Sequence, residues 1–353
     1  AQKGHEASIR ALAELGADVN TPNNNGFTPV CIAAQKGNEA SLRALAELGA
    51  DVNTPSTDGF TPAFIAAYCG HEGSLRALAE LGANVNTPDA KGTTPLFVAA
   101  REGHENSIRA LAELGANVNT AGDDGRTPAF AAAEKGHEGS IRVLAELGAN
   151  VNMPDNEGTT PVFMAAQEGH EGSIRVLAEL GADVNTSDNE GTTPVSMAAQ
   201  EGHKGSIRAL YEMGADVNIS DNEETTPVFM AAQEGHGDLI RVLYEMGADV
   251  NTPDNEGTTP VSMATQEGHE ASIRVLAELG ADVNISDNEG RTPVFMAAQE
   301  GHKDSIRALA ELGADVNTPN NSWVTPAHAA ARRGHLEAIQ ALVSLRGNVD
   351  LVA

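Results

Sequence analysis

Apolar and polar positions along the chain follow one pattern that returns every 33 residues. In the copy from Asp155 to Ser187, DNEGTTPVFMAAQEGHEGSIRVLAELGADVNTS, a Thr160-Pro161 pair opens the run PVFMAAQE. A hydroxyl caps free helical N–H groups and proline is pre-set for a first turn, so this run predicts a short helix over 161–168 that Gly169 stops. Beyond His170, Ile174, Leu177 and Leu180 recur at helical spacing, with Glu171 near the favourable positive end. A second helix is predicted over 171–180. Gly181 stands where a left-handed C-cap belongs, and ADVNTSDNEG is too rich in Asx and Gly for a third helix, so it reads as a turn or hairpin loop.

The Thr-Pro pair recurs at Pro29, Pro62, Pro95, Pro128, Pro161, Pro194, Pro227, Pro260, Pro293 and Pro326, always 33 residues apart. Ten copies run without insertion or deletion, and residues 1–25 are the back half of an eleventh. The whole of 1–353 therefore reads as a single array without linkers. Helices of two to three turns are too short to persist alone in water, so the units must stack. Ala165-Ala166 and their counterparts allow close helix approach, while Val162, Met164, Ile174 and Leu177 are expected in a continuous core between neighbours. The predicted fold class is all-α.

The motif resembles the ankyrin repeat, whose pattern of Gly-x-Thr-Pro-Leu-His-x-Ala-Ala, Gly-His and Gly-Ala-Asp-Val-Asn is matched by GTTPVFMAA, GH and GADVN between Gly158 and Asn185. The resemblance spans essentially the whole chain. It implies a solenoid of β-turn plus two antiparallel helices per unit, with turns and first helices lining a concave side. Several departures stand out. The family's histidine is mostly phenylalanine here (Phe64, Phe97, Phe130, Phe163, Phe229, Phe295), with Cys31, Ser196 and Ser262 elsewhere and only His328 restoring it, so packing is expected to replace hydrogen bonding. The paired leucines become Leu177-Ala178 with Leu180 beyond, which puts pressure on standard inter-repeat packing. Glu224 and Trp323 replace turn glycines and Arg346 replaces a C-capping glycine, so these three turns are expected to differ locally.

Composition narrows the function. With 22 Lys+Arg against 50 Asp+Glu, the formal charge is −28, and such a chain is repelled by nucleic-acid phosphates and anionic lipid. No apolar run approaches the roughly 20 residues of a membrane helix, and the opening AQKGHEASIR is no signal peptide. Two cysteines, Cys31 and Cys69, make no disulfide framework, which fits a reducing, cytoplasmic or otherwise intracellular setting. Asn185, Asn218 and Asn284 begin glycosylation sequons that matter only in a secreted protein. Both ends look cut: the chain opens inside a repeat, and the last helix keeps apolar Leu336, Val343 and Leu345 where a polar cap belongs, so more protein is expected beyond.

Candidate chemistry is weaker than the repeat. One histidine per repeat (His71, His104, His137, His170, His203, His236, His269, His302, His335) cannot share a zinc, because packed helices lie about 8–10 Å apart and each ligand must come within about 2.1 Å of the metal. A helix-initiating His bonded to nearby backbone is the expected role. The DNE tripeptides at Asp155, Asp188, Asp221, Asp254 and Asp287 offer too few oxygens for calcium and read as Asx-turns. Nucleophile, Walker, Rossmann and HExxH patterns are absent. No catalysis and no cofactor are expected.

Ten arginines from Arg10 to Arg307 each precede a glutamate (Glu14 to Glu311) by four residues on the second helix, predicting a neutral stripe on the back. Removing those pairs leaves 12 basic and 40 acidic residues, many on the turns and at the first-helix ends, where Glu168, Glu201, Glu234, Glu267 and Glu300 recur. A solvated face and an acidic groove for a basic partner both fit. Repeats from about 155 to 300 present nearly the same residues each time, whereas the ends differ: Phe27, Phe60, Tyr68 and Cys69 early, Trp323, Val324, His328, Arg332 and Arg333 late. Aromatics and arginines are common interface anchors, although end-capping fits these as well. The favoured reading is a non-enzymatic protein-interaction scaffold whose acidic concave face takes a basic protein segment. A structural spacer or fixed subunit of a larger assembly is the alternative.

Overall fold

The computed structural model describes residues 5–347; the opening residues 1–4 of the partial repeat and the final residues 348–353 lie outside the described residues. Among the described residues every regular element is a helix, and the chain divides into two compact units, Ala1–Asp183 and Val184–Ala353. In the first unit α1 (Glu6–Glu14) belongs to the partial repeat. Five helix pairs follow: α2 (Pro29–Gln35) with α3 (Glu39–Glu47), α4 (Pro62–Tyr68) with α5 (Glu72–Glu80), α6 (Pro95–Arg101) with α7 (Glu105–Glu113), α8 (Pro128–Glu134) with α9 (Glu138–Glu146), and α10 (Pro161–Gln167) with α11 (Glu171–Glu179). The second unit repeats the scheme with α12 (Pro194–Gln200) and α13 (Lys204–Glu212), α14 (Pro227–Gln233) and α15 (Gly237–Glu245), α16 (Pro260–Gln266) and α17 (Glu270–Glu278), α18 (Pro293–Glu300) and α19 (Lys303–Glu311), α20 (Pro326–Arg333) and α21 (Leu336–Ser344).

The local signals act as their chemistry requires. Thr127 Oγ1 accepts the Phe130 N–H at 3.2 Å and Pro128 follows at N1, so each first helix begins where a capping hydroxyl and a fixed φ coincide. Within each unit, first helix packs on first helix and second on second, burying Val162, Phe163, Ile174 and Leu177. Inter-repeat packing therefore survives the Leu-Ala change: Leu177 is in the core, while Leu180 is a half-exposed C-cap residue. A row of serines (Ser74, Ser107, Ser140, Ser173) is buried on the second helices with no hydrogen-bond partner for the hydroxyl. An unpaired buried hydroxyl costs free energy, but so small a side chain lets consecutive second helices approach closely.

Phenylalanine does exchange a hydrogen bond for packing at the family's histidine position. Phe130 and Phe229 are among the largest fully buried side chains. Where the position is polar, the bond returns: the Thr193 and Ser196 hydroxyls lie 3.0 Å apart, and Thr325 Oγ1 lies 2.8 Å from His328 Nδ1.

The turns are tied to one another. Asp155 Oδ1 accepts from Glu157 N at 3.0 Å and Thr159 N at 2.9 Å, the expected Asx-turn. Asn156 reaches the preceding turn through its backbone N–H to Asp124 O at 3.0 Å and its side chain to Asp123 O at 3.0 Å. The asparagine closing GADVN clamps the next repeat: Asn218 Nδ2 donates to Gly247 O at 3.1 Å and its Oδ1 accepts from Asp249 N at 2.9 Å. Since Nδ2 is the atom a glycan would occupy, the sequon at Asn218 coincides with a structural bond.

The three substituted turns correct an expectation. Glu224, Trp323 and Arg346 keep the left-handed backbone at φ 63°, 61° and 65°, with Glu224 N–H donating to Asp221 O at 3.1 Å and Trp323 N–H to Asn320 O at 2.9 Å. The hydrogen-bonded turn imposes the conformation whatever residue occupies it, and the non-glycine side chains carry the strain. Glu224→Gly is accordingly expected to stabilise the second unit by about 1 kcal/mol. Urea unfolding at constant slope is the check, and an unchanged midpoint would refute it.

Candidate functional site

Three of the predicted interface residues converge in the first unit. Phe27 and Phe60 from successive turns and Tyr68 from the end of α4 line a groove of about 890 Å³ together with Phe64, Ile65 and Val98. Phe27 and Phe60 are half-buried, and Phe60 stacks on Phe64 with ring centroids 4.9 Å apart. Tyr68 is 49% exposed. The rim carries both signs, Asp58 and Asp89 along with Lys91 and Arg101, so the groove is an apolar trough with a balanced edge. Cys69 lies in its wall, and burial raises its thiol pKa above the ordinary value. A neutral thiol there is a poor nucleophile. Cys31 is fully buried, and burial pushes its thiol up in the same way.

The acidic candidates share one structural position. Glu168, Glu201, Glu234 and Glu267 are the C-cap residues of α10, α12, α14 and α16, all exposed, while Glu300 is the half-buried last residue of α18. A carboxylate at a helix C-terminus faces the negative end of the dipole and destabilises its own helix by tenths of a kcal/mol. These glutamates therefore do not serve local helix stability. Of the late candidates, Trp323 stands 85% exposed on its turn and Arg332 is exposed, but Arg333 is turned onto Glu300 at 3.4 Å, pairing two predicted interface residues with each other.

A family model described as ankyrin repeats in three copies matches residues 1–56, 54–122, 83–155, 115–188, 148–221, 197–287, 253–320 and 279–352. The chain belongs to the ankyrin-repeat family. Among solved structures, the crystal structure of the human ASB11 ankyrin repeat domain is similar, with a TM-score of 0.57 and 25% sequence identity over 64% of this chain and 100% of that one. No curated protein matches. Ankyrin repeats are in general protein–protein interaction modules and are typically non-enzymatic scaffolds. No described helix is long and apolar enough to cross a membrane.

In this ankyrin stack two ladders run differently from their sequence spacing. The second-helix arginines pair with the glutamate of the next repeat, not the one four residues on: Arg43 to Glu80 at 2.6 Å, Arg76 to Glu113 at 2.8 Å, Arg109 to Glu146 at 2.6 Å and Arg142 to Glu179 at 3.0 Å. The same link joins Arg241 to Glu278 and Arg274 to Glu311 in the second unit. Some of these arginines also bond the glutamate four residues before them, as Arg76 does Glu72 and Arg274 does Glu270, both at 2.9 Å. Each pair is exposed and adds little alone, but the series ties repeat to repeat. The ankyrin histidines sit at the N-cap of each second helix without a side-chain cap bond. Their rings reach instead to a carbonyl 36 residues earlier, His104 Nε2 to Tyr68 O at 3.0 Å and His269 Nε2 to Gln233 O at 2.9 Å. Backbone bonding was expected, but its partner is the preceding repeat.

Some exposed apolar side chains escape a reading that looks for variation only at turns and ends. Tyr211 and Tyr244 are 43% and 45% exposed, on the second helices α13 and α15. Their signal is Tyr at a position that is alanine in the flanking repeats (Ala178, Ala277).

Proposed function

We propose that this chain is a non-enzymatic protein-interaction module that takes a basic segment of a partner, with the groove around Phe27, Phe60 and Tyr68 receiving an apolar anchor. The observation that carries the reading is the groove itself. Three aromatic side chains from two successive turns and a helix end line one apolar trough of about 890 Å³, and partly exposed aromatics in a concave apolar site are what anchors a bound chain. The acidic first-helix ends at Glu201, Glu234, Glu267 and Glu300, together with Glu168, supply the electrostatic part: they weaken their own helices, and a charge of −28 attracts basic segments from a distance. The array acts as preformed surface, in an intracellular setting.

Selection of displayed peptides against the intact chain tests this. Binders are expected to carry several Lys or Arg and one aromatic residue, to associate at least tenfold more slowly as salt rises from about 50 to 300 mM, and to protect Cys69 from alkylation. Tyr68→Ala should weaken them by roughly tenfold or more. Salt-insensitive binding would remove the electrostatic part, and indifference both to Tyr68→Ala and to Glu201/Glu234/Glu267→Lys would favour a structural spacer.

A further inference from the structure

The ion-pair ladder of the second unit has a gap where both partners are present but unpaired, and that unit's exposed tyrosines lie at it. On α15 and α17 the arginine reaches the glutamate of the next second helix, Arg241 to Glu278 and Arg274 to Glu311, whereas Arg307 of α19 pairs within its own helix with Asp304, since Ser344 stands where the next glutamate would be. Between α13 and α15 that link is missing: among the described residues neither Arg208 nor Glu245 has an ion-pair partner, although both are exposed. The neighbouring cross-repeat pair, formed by Lys303 and Glu337 at 2.6 Å between α19 and α21, is likewise unmade by Lys204 and Asp238 at the equivalent positions.

The packing differs at the same place. The small buried serine of α13, α17 and α19 (Ser206, Ser272, Ser305) is Leu239 in α15, itself only 4% exposed. The leucine is larger than the serine it replaces, and α13 and α15 touch over a shorter stretch than α15 and α17 or α17 and α19. The same two helices carry the exposed tyrosines, Tyr211 and Tyr244, one on each. Unpaired bases thus stand on α13, unpaired acids on α15, and one ring at the same level on both.

We propose that this patch is the contact for a second copy of the chain, related by a two-fold axis running parallel to α13 and α15 and between them. Such an axis lays α13 of one copy against α15 of the other in parallel. Arg208 then faces the other copy's glutamate at position 245 with the four-residue offset the intramolecular pairs use, Lys204 faces its aspartate at position 238, and Tyr211 meets its tyrosine at position 244. Each contact occurs twice, as an isologous interface requires. A uniform acidic patch would repel its copy; this one is self-complementary because the gap separates the signs. Tyrosine pairs in offset or edge-to-face geometry supply the apolar part. The surface is distinct from the first-helix groove and independent of what that groove binds.

Sedimentation velocity of the intact chain tests this in about 0.3 M salt, where repulsion between two acidic chains is screened. A reversible monomer–dimer equilibrium is expected as concentration rises from about 5 to 500 µM, the range for a contact smaller than a standard interface. Tyr211→Ala/Tyr244→Ala restores the residue of the flanking repeats, so the stack persists by circular dichroism, and dimerisation should weaken roughly thirtyfold or more. Arg208→Glu and Glu245→Arg should each abolish it, and mixing those two variants should restore a dimer, because both ion pairs reform between them. A chain monomeric throughout, a dimer indifferent to the tyrosine change, or a mixture that stays monomeric would each overturn the proposal and leave the patch to a different partner.

Discussion

Phe130→Ala is expected to destabilise the first unit by about 3–5 kcal/mol, the usual cost of emptying a fully buried aromatic site. Phe130 is 0% exposed in α8, which packs on both α6 and α10. The ring is also covered by the Arg126 guanidinium, 4.9 Å from its centroid, and Arg126 in turn approaches the buried Asp155 carboxylate at 3.5 Å. Removing the ring therefore opens a cavity and frees the arginine that faces the Asx-turn of the next repeat. In a stack, stability is close to a sum of repeat and nearest-neighbour terms, so the loss should be local. Native-state hydrogen exchange should show α8 and α9 opening most while α2 and α3 retain their protection. A loss below about 1 kcal/mol would mean that the ring is not a packing element.

The second large effect concerns a glycine required for two reasons. Gly70 has φ +73°, and a Cβ there would lie 2.7 Å from the His104 ring of the following repeat. Gly82 has φ +85° but nothing within 4 Å of a Cβ. Gly82→Ala should therefore cost about 1–2 kcal/mol from left-handed backbone strain alone. Gly70→Ala should cost about 3 kcal/mol, because His104 must also move and surrender its bond to Tyr68 O, 3.0 Å away. Thermal or urea unfolding of both variants isolates the inter-repeat term as the difference. Equal losses would show that the histidine ring adapts freely and is no staple.

Much of this is legible in the sequence. Thr-Pro, Gly-His and the glycine after the second helix act within a few residues, through caps and permitted backbone angles, so helix bounds follow to within a residue: Glu168 and Leu180 cap helices expected to include them. Of the candidate site, the aromatic character of Phe27, Phe60 and Tyr68 was visible, but their meeting in one groove was not, since they come from two turns and a helix end. Arg333 looked like a free anchor until Glu300, 33 residues away, was found beside it.

By itself, then, the sequence determined the repeat, its all-helical unit, its caps and its charge, because each depends on local conformation or on counting. Only the tertiary structure decided which groups pair. Arg76 has glutamates both four residues before and four residues after it, yet it bonds Glu72 at 2.9 Å and Glu113 of the next repeat at 2.8 Å rather than Glu80, and His104 bonds a carbonyl 36 residues back. The reason is geometric: stacking sets equivalent residues of adjacent repeats side by side, so the partner 33 to 37 positions away competes with the one a helical turn away. The same geometry leaves Arg208 and Glu245 unpaired beside the serine-to-leucine exchange at Leu239, a gap in the ladder that no single repeat, read alone, reveals.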